Sequence, residues 1–222
     1  MADRRSYGDS CGIARGLDVA GERWALLVVR ELLLGPKRFT DLREGLSHVS
    51  PDVLAQRLRE LEQSGLVRRR KLPPPAAAKV YELTERGAEL EPVLLALGRW
   101  GSHVPLPDEP SPLSPDALAV ALKTMFDPAA AAGRSGVYEL RLGEHAFTVR
   151  LTDGELDLAR RDTSASDTPA PDTTLALNTG TATLAGLLWH GGSLTAAIDA
   201  GALELDGDQR ELAGFLTLFA AI

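Results

Sequence analysis

Five prolines fall within the eleven residues from 105 to 115, PLPDEPSPLSP. Proline locks φ, removes a backbone donor and biases the residue before it away from helix, so neither a helix nor a central strand runs through this stretch. It reads as an extended linker. The 222 residues then divide into two modest modules, each long enough to bury its own core. The expected division is 1–104, a linker over 105–115, and 116–222.

The charge balance changes sign at the same place. Residues 1–105 carry 17 Lys and Arg against 14 Asp and Glu, a net of +3, whereas 106–222 carry 7 against 17, a net of −10. The net charge of −7 for the whole chain therefore says nothing against nucleic-acid binding by the first half. Hydrophobic residues at 44% and charged residues at 25% are ordinary globular values and exclude disorder of the chain as a whole. No apolar run reaches the ~18 residues of a membrane span. Residues 1–10 are polar, without the apolar centre of a signal peptide. One cysteine, Cys11, excludes an intramolecular disulfide framework, and the expected location is the cytoplasm. No repeat at a solenoid period is present.

The first module reads as mostly helical. ERWALLVVRELLL, 22–34, is apolar nearly all round and suits a buried helix stopped by Gly35-Pro36. Residues 39–46 form a short helix. Ser50 is an N-cap, Pro51 occupies the first helical position and Asp52 the first turn, three agreeing signals for a helix that runs to Ser64 and ends at Gly65. Residues 66–72 and 79–83 read as two strands around a proline-stiffened tip at 73–78. Thr84 caps a long closing helix toward Trp100, bent at Pro92.

On the helix from Ser50, Leu54, Leu58 and Leu61 share one narrow sector. Asp52, Gln56, Arg59 and Gln63 project oppositely, with Ala55 and Glu60 flanking. Arg57 leans toward the buried sector, which favours a phosphate or a neighbouring carboxylate over a base. Two short helices, a tight connection at 47–49, this helix and a basic hairpin make a winged helix-turn-helix order. Such a helix reads the major groove of double-stranded DNA with residues near its N-terminus. Gln56 and Arg59 are the expected base readers, since Gln bonds an adenine edge and Arg a guanine edge bidentately. Arg68, Arg69, Arg70, Lys71 and Lys79 of the wing would neutralise phosphates. Ser50 and Thr40 lie at helix starts whose backbone N–H groups suit phosphate. A solvated charge run beside an amphipathic surface helix is the bland alternative for either feature alone. Their combination favours DNA.

CGIARGLDVAGERWALLVVRELLLGPKRFTDLREGL followed by LAQRLRELEQSGLVRRR resembles the HxlR family of bacterial winged-helix transcriptional regulators, and KVYELTERGAELEPVLLALGRWG resembles that family's second wing strand and closing helix. The match covers about residues 8–103. It implies a homodimer, paired through N-terminal and closing helices, on operator half-sites about one DNA turn apart. Cys11 has two readings. The resemblance implies a possible sensor of oxidants or electrophiles, with Arg15 one helical turn away to favour the thiolate. A small side chain packing the dimer helix is the other.

The second module reads as helix over 114–126, strands over 137–142, 146–151 and 155–158 with a hairpin at Asp153-Gly154, and a loop over 163–172. A strand over 174–178, helices over 183–190 and 194–200, a strand over 203–205 and a helix over 209–221 follow. Strands mixed with helices imply α+β, helices packed on one sheet. HAFTVRLTDGELDL, TTLALNTGTATLAGLLWHG and AIDAGALELDGDQRELAGFLTLF resemble the sterol carrier protein type 2 fold, a small α/β lipid-binding domain. Leu184, Leu187, Leu188, Phe215, Leu218 and Phe219 have the spacing to line its apolar cavity, and equally to fill an ordinary core. A hydrophobic effector is thereby implied, and a structural or dimerising role stays open.

Catalysis has no support in the sequence. His48, His103, His145 and His190 stand singly, without metal-ligand spacing, and no cofactor or metal is expected. Asp206 and Asp208 flank a glycine and suit a tight turn better than acid/base work. No nucleophile elbow, phosphate loop or dinucleotide fingerprint occurs. Two functions remain: a DNA-binding regulator, and a non-enzymatic carrier of a hydrophobic ligand whose helical half only dimerises. Convergence of Arg59, Arg68 and Arg70 separates them, because a carrier has no use for it.

Overall fold

A computed structural model describes residues 6–73, 77–106, 111–161 and 172–219. Parts of the expected linker (107–110), wing tip (74–76) and loop (162–171), and the last residues of the closing helix (220–222), lie outside the described residues. The fold is mixed, helical in the first part and built on a sheet in the second, and two compact units are Met1–Leu94 and Leu95–Ile222.

In the first unit α1 (Gly12–Ala20), α2 (Ala25–Leu32), α3 (Phe39–Gly45) and α4 (Pro51–Gln63) precede a hairpin of β1 (Val67–Lys71) and β2 (Lys79–Leu83). The core is the apolar sector of each helix: Val28, Val29 and Leu32 of α2, Leu42 of α3, and Leu54, Leu58 and Leu61 of α4, all almost fully buried. The leucine sector of α4 is thus the buried one. Lys37 pairs with Tyr81 through both backbone hydrogen bonds, at 3.0 and 2.8 Å, and adds a one-residue third strand to the hairpin. Its side chain meets the fully buried Glu31 carboxylate at 2.6 Å, so α2 and the hairpin are joined by a buried ion pair.

Two of the expected helices of this unit differ in extent, and α2 ends at Leu32 rather than residue 34. α2 starts at Ala25, not residue 22, because Trp24 takes a left-handed conformation, φ 76°. A bulky residue there interrupts helical hydrogen bonding and costs about 1–3 kcal/mol. The closing helix is two helices, α5 (Glu85–Ala88) and α6 (Glu91–Gly101). Pro92 has no N–H for the carbonyl of Ala88 and its ring clashes there, so the helix stops and restarts with proline in its first turn, rather than bending.

The second unit begins with the end of α6. Then come α7 (Pro115–Met125), β3 (Gly136–Leu142), β4 (His145–Thr152), β5 (Glu155–Arg161), β6 (Leu175–Thr179), α8 (Thr181–Trp189), α9 (Leu194–Asp199), β7 (Leu203–Asp206) and α10 (Gln209–Leu216). The five strands lie in the order β5-β4-β3-β6-β7, antiparallel except for the parallel pair β3–β6. The helix expected to run through 209–221 ends at Leu216, and Thr217–Phe219 tightens into a 3-10 turn, a common way to satisfy the last carbonyls. Asp153 and Gly154 both have positive φ, 50° and 83°, as the primed turn of a two-residue hairpin demands. Tyr138, Leu140, Leu142, Phe147, Val149 and Leu151 alternate onto the buried face of β3 and β4. Phe215 stacks on Tyr138 with ring centroids 4.3 Å apart, and Phe219 meets Phe215 edge-on at 5.0 Å. The Tyr138 hydroxyl donates to Glu211 Oε1 at 2.7 Å. Burial, and then that carboxylate, push its pKa up to about 12.

Candidate nucleic-acid interface

The α3–α4 connection and the start of α4 are set by local chemistry. Ser50 is the extended N-cap, and its Oγ accepts from the Val53 amide at 3.4 Å. Pro51 occupies the first helical position and Asp52 the first turn; all three are exposed. Thr40, in the first turn of α3, is exposed and donates to Asp41. Of the remaining α4 residues, Gln56 and Arg59 are exposed and Ala55 is half-buried. Gln56 and Arg59 are coupled before any ligand arrives: Arg59 Nη2 donates to Gln56 Oε1 at 2.5 Å, and Gln56 Nε2 to Glu60 Oε1 at 2.7 Å. Arg57 turns inward, with its side chain only 11% exposed, and meets Glu60 and Glu22. That is the carboxylate half of the alternative expected for it.

The wing presents its charge outward. After Val67 every residue of β1 is exposed, so Arg68, Arg69, Arg70 and Lys71, with Lys79 opposite, form a basic ribbon. Alternation splits the arginines between two sides. Arg68 lies directly across from Glu82 and Arg70 one diagonal away; their Nε atoms approach the Glu82 carboxylate at 2.7 and 2.8 Å. Arg69 goes the other way, pairing with Glu62 of α4 at 2.9 Å and lying over the Tyr81 ring at 5.2 Å. Glu82, Glu62 and Tyr81 were not among the residues expected at this surface. The place of Glu82 follows from the register of the hairpin, in which the pairing of 67 with 83 sets 82 opposite 68.

Cys11 is exposed at the N-cap of α1, its amide donating to Asp9 Oδ1 at 2.8 Å, with Arg15 one turn along. In the second unit, four of the six residues with cavity spacing, Leu184, Phe215, Leu218 and Phe219, are sealed in the core, and Leu187 and Leu188 are half-buried on α8. Trp189 beside them donates its indole N–H to the Phe219 carbonyl at 2.9 Å. Among the described residues no group of three or more His, Cys, Asp or Glu could hold a metal ion, and no helix is long and apolar enough to cross a membrane.

Comparison with known proteins bears on the first unit. A family model described as HxlR-like helix-turn-helix matches residues 19–108. YvaP of Bacillus subtilis (strain 168), described as an uncharacterized HTH-type transcriptional regulator, is 35% identical over 89 residues, 40% of this chain and 82% of that protein. The HTH-type transcriptional regulator YodB of the same organism is 39% identical over 83 residues, 37% of this chain and 74% of that one. The solved structure of the reduced form of YodB is 33% identical, covers 46% of this chain and all of that chain, and superposes with a TM-score of 0.39.

Proposed function

Because the chain belongs to the HxlR family of helix-turn-helix transcriptional regulators, we propose that it binds DNA through the surface formed by α4 and the wing. In this reading α4 enters the major groove. Gln56 and Arg59 read base edges, with Asp52 and Ala55 beside them, Thr40, Ser50 and Pro51 border the flanking phosphates, and Arg57, held by Glu60 and Glu22, braces the helix from within. Arg68, Arg70, Lys71 and Lys79 meet the backbone beside the groove. The observation that carries the reading is the wing, where five consecutive β1 residues include four cations, all exposed, in a chain whose net charge is −7. An acidic protein gains nothing for solubility by massing one sign of charge there, whereas a phosphate backbone requires it.

The partner in this binding is a second copy of the chain. α6 exposes Val93, Leu97 and Trp100 at the i, i+4, i+7 spacing of a single helix face, and α1 exposes Ile13 and Leu17. Apolar stripes of this kind mark an interface. A dimer also matches pseudo-symmetric operators. Its place of action is the cytoplasm, where DNA is reached, and it acts as a regulator without catalysis. Cys11, exposed on the same α1, is the position at which an oxidant or electrophile would alter the dimer.

Control by a hydrophobic effector in the second unit is a second reading. The observation in its favour is that Leu187, Leu188 and Trp189 stay half-buried on α8 while the core beneath them is closed. Such a ligand would act only by binding the DNA-competent and incompetent arrangements unequally. The deciding experiment is fluorescence-polarisation binding of the full chain to DNA from upstream of its own gene and to scrambled DNA, across a salt series. A preference for the upstream DNA, with affinity falling steeply in salt, is expected. No binding to either DNA at low salt would return α4 to a scaffold role and leave the carrier reading standing.

A further inference from the structure

We propose that Glu82 is a positioning residue that sets Arg68 and Arg70 as a two-phosphate clamp, a proposal resting on the wing's contact with DNA. Its carboxylate accepts from Arg68 Nε at 2.7 Å and pairs with Arg70 Nε at 2.8 Å. In both cases the atom nearest the carboxylate is Nε, not a terminal Nη. Neither pair of Nη groups bonds another side chain among the described residues. The burial is graded to match. Glu82 is 11% exposed at the side chain, Arg70 49% and Arg68 65%. One anchored carboxylate thus holds two outward forks.

The spacing gives the forks a target. Two residues along a strand advance ~6.6 Å, comparable to the separation of successive phosphates on one DNA strand. Arginine recognises phosphate bidentately through a fixed planar fork. A long side chain that must be immobilised on binding loses affinity, and one already held does not. Arg69, between the two, points to Glu62 and Tyr81 and takes no part in the clamp. Its pairing with α4 secures the wing to the helix whose register the clamp would set.

Simple electrostatics and positioning predict opposite signs for one substitution. Glu82→Gln removes a negative charge from the wing while keeping the side chain's shape and one acceptor oxygen. If Glu82 positions the arginines, the full-length variant binds operator DNA roughly fivefold more weakly at every salt concentration, because the phosphate contacts survive but are no longer prepared. The slope of log affinity against log salt stays as in the wild type, since it counts phosphates neutralised. Tighter binding with a steeper slope would overturn the proposal and make Glu82 a brake on the wing; so would unchanged affinity. Arg68→Lys supplies the second test. It keeps the charge and loses the fork, so it weakens binding in the wild-type background and adds little in the Glu82→Gln background. Full additivity of the two would overturn the coupling even if Glu82→Gln lowers stability. The wing reading itself is tested apart from this by Arg68→Ala with Arg70→Ala: if affinity and slope both survive the pair, the wing does not touch DNA and the failure lies there.

Discussion

Ser-Pro-Asp opens a helix twice in this chain, as Ser50-Pro51-Asp52 at α4 and as Ser114-Pro115-Asp116 at α7. Local structure repeats with the tripeptide. Both serines are extended N-caps whose Oγ accepts the amide three residues on, at 3.4 and 3.0 Å, and both prolines take the first helical position. The aspartates then part company. Asp52 is exposed on the face proposed for DNA, whereas the Asp116 side chain is 2% exposed and meets Arg160. Arg160 also lies over Phe147 and donates to His145 Nδ1 at 2.8 Å. A capping motif therefore specifies where a helix begins and says nothing of what its first acidic residue will face. The same division holds for arginine. On the wing a carboxylate holds two exposed arginines, and in the sheet unit arginines hold two buried carboxylates, Asp116 and, through Arg161 at 2.9 Å, Glu139.

The largest test of this contrast is Arg160→Ala. It leaves the buried Asp116 carboxylate without its guanidinium and is expected to lower unfolding free energy by about 3–5 kcal/mol, read by urea denaturation. Arg68→Ala removes a guanidinium that is 65% exposed and leaves Arg70 on the Glu82 carboxylate, so it should cost less than about 1 kcal/mol. Comparable losses for the two would break the contrast. Next in size, Arg59→Ala should weaken a preferred operator by about 1–3 kcal/mol and random DNA far less, while Arg70→Ala weakens all DNA alike and lowers the salt slope by about one. Equal loss on every sequence for Arg59→Ala would remove it from base reading.

In the acidic unit, Tyr138 should resist ionisation until about pH 12. Its folded pKa is raised, so its stabilising contribution is complete below pH ~10, its unfolded value, and is lost as pH rises through about 12. Absorbance titration should show one late tyrosine that Tyr138→Phe deletes. Smaller again, Ser50→Ala and Ser114→Ala should each cost about 1 kcal/mol, with the shorter bond at Ser114 making its loss the greater. Smallest is Asp52→Ala, within about 0.3–1 kcal/mol for stability but with a changed DNA preference, because an exposed carboxylate in a major groove accepts from cytosine. An Asp52→Ala variant that unfolds like Arg160→Ala would show the two aspartates to be alike after all.

Signals that are local in sequence were legible. The start and end of α4, its leucine sector, the strand pair of the wing and the Asp153-Gly154 hairpin depend on a few neighbouring residues, and each was found where capping, periodicity and turn chemistry put it. The exposed set on α4 was legible too, since a 3.6-residue period leaves Gln56 and Arg59 outward once Leu54, Leu58 and Leu61 go inward. Trp24 was not. Nothing in its neighbours demands positive φ, which the fold imposes as Trp24 packs against the core between α1 and α2. Pro92 alone does not distinguish a bend from a break, because proline tolerates both and packing selects between them.

The order of helices and strands, the sign of charge on each half and the basic hairpin after an amphipathic helix are written in the order of residues along the chain. Those follow from backbone preferences and from the spacing of apolar residues, which act over a few positions. Which charges become partners is set by folding: Glu82 under Arg68 and Arg70, Glu31 beneath Lys37, Asp116 against Arg160. All four pairings join residues six to forty-four positions apart, and the two made by Glu82 depend on the register of a hairpin. The energy of an ion pair depends on the distance and burial that folding creates, and no local pattern carries either.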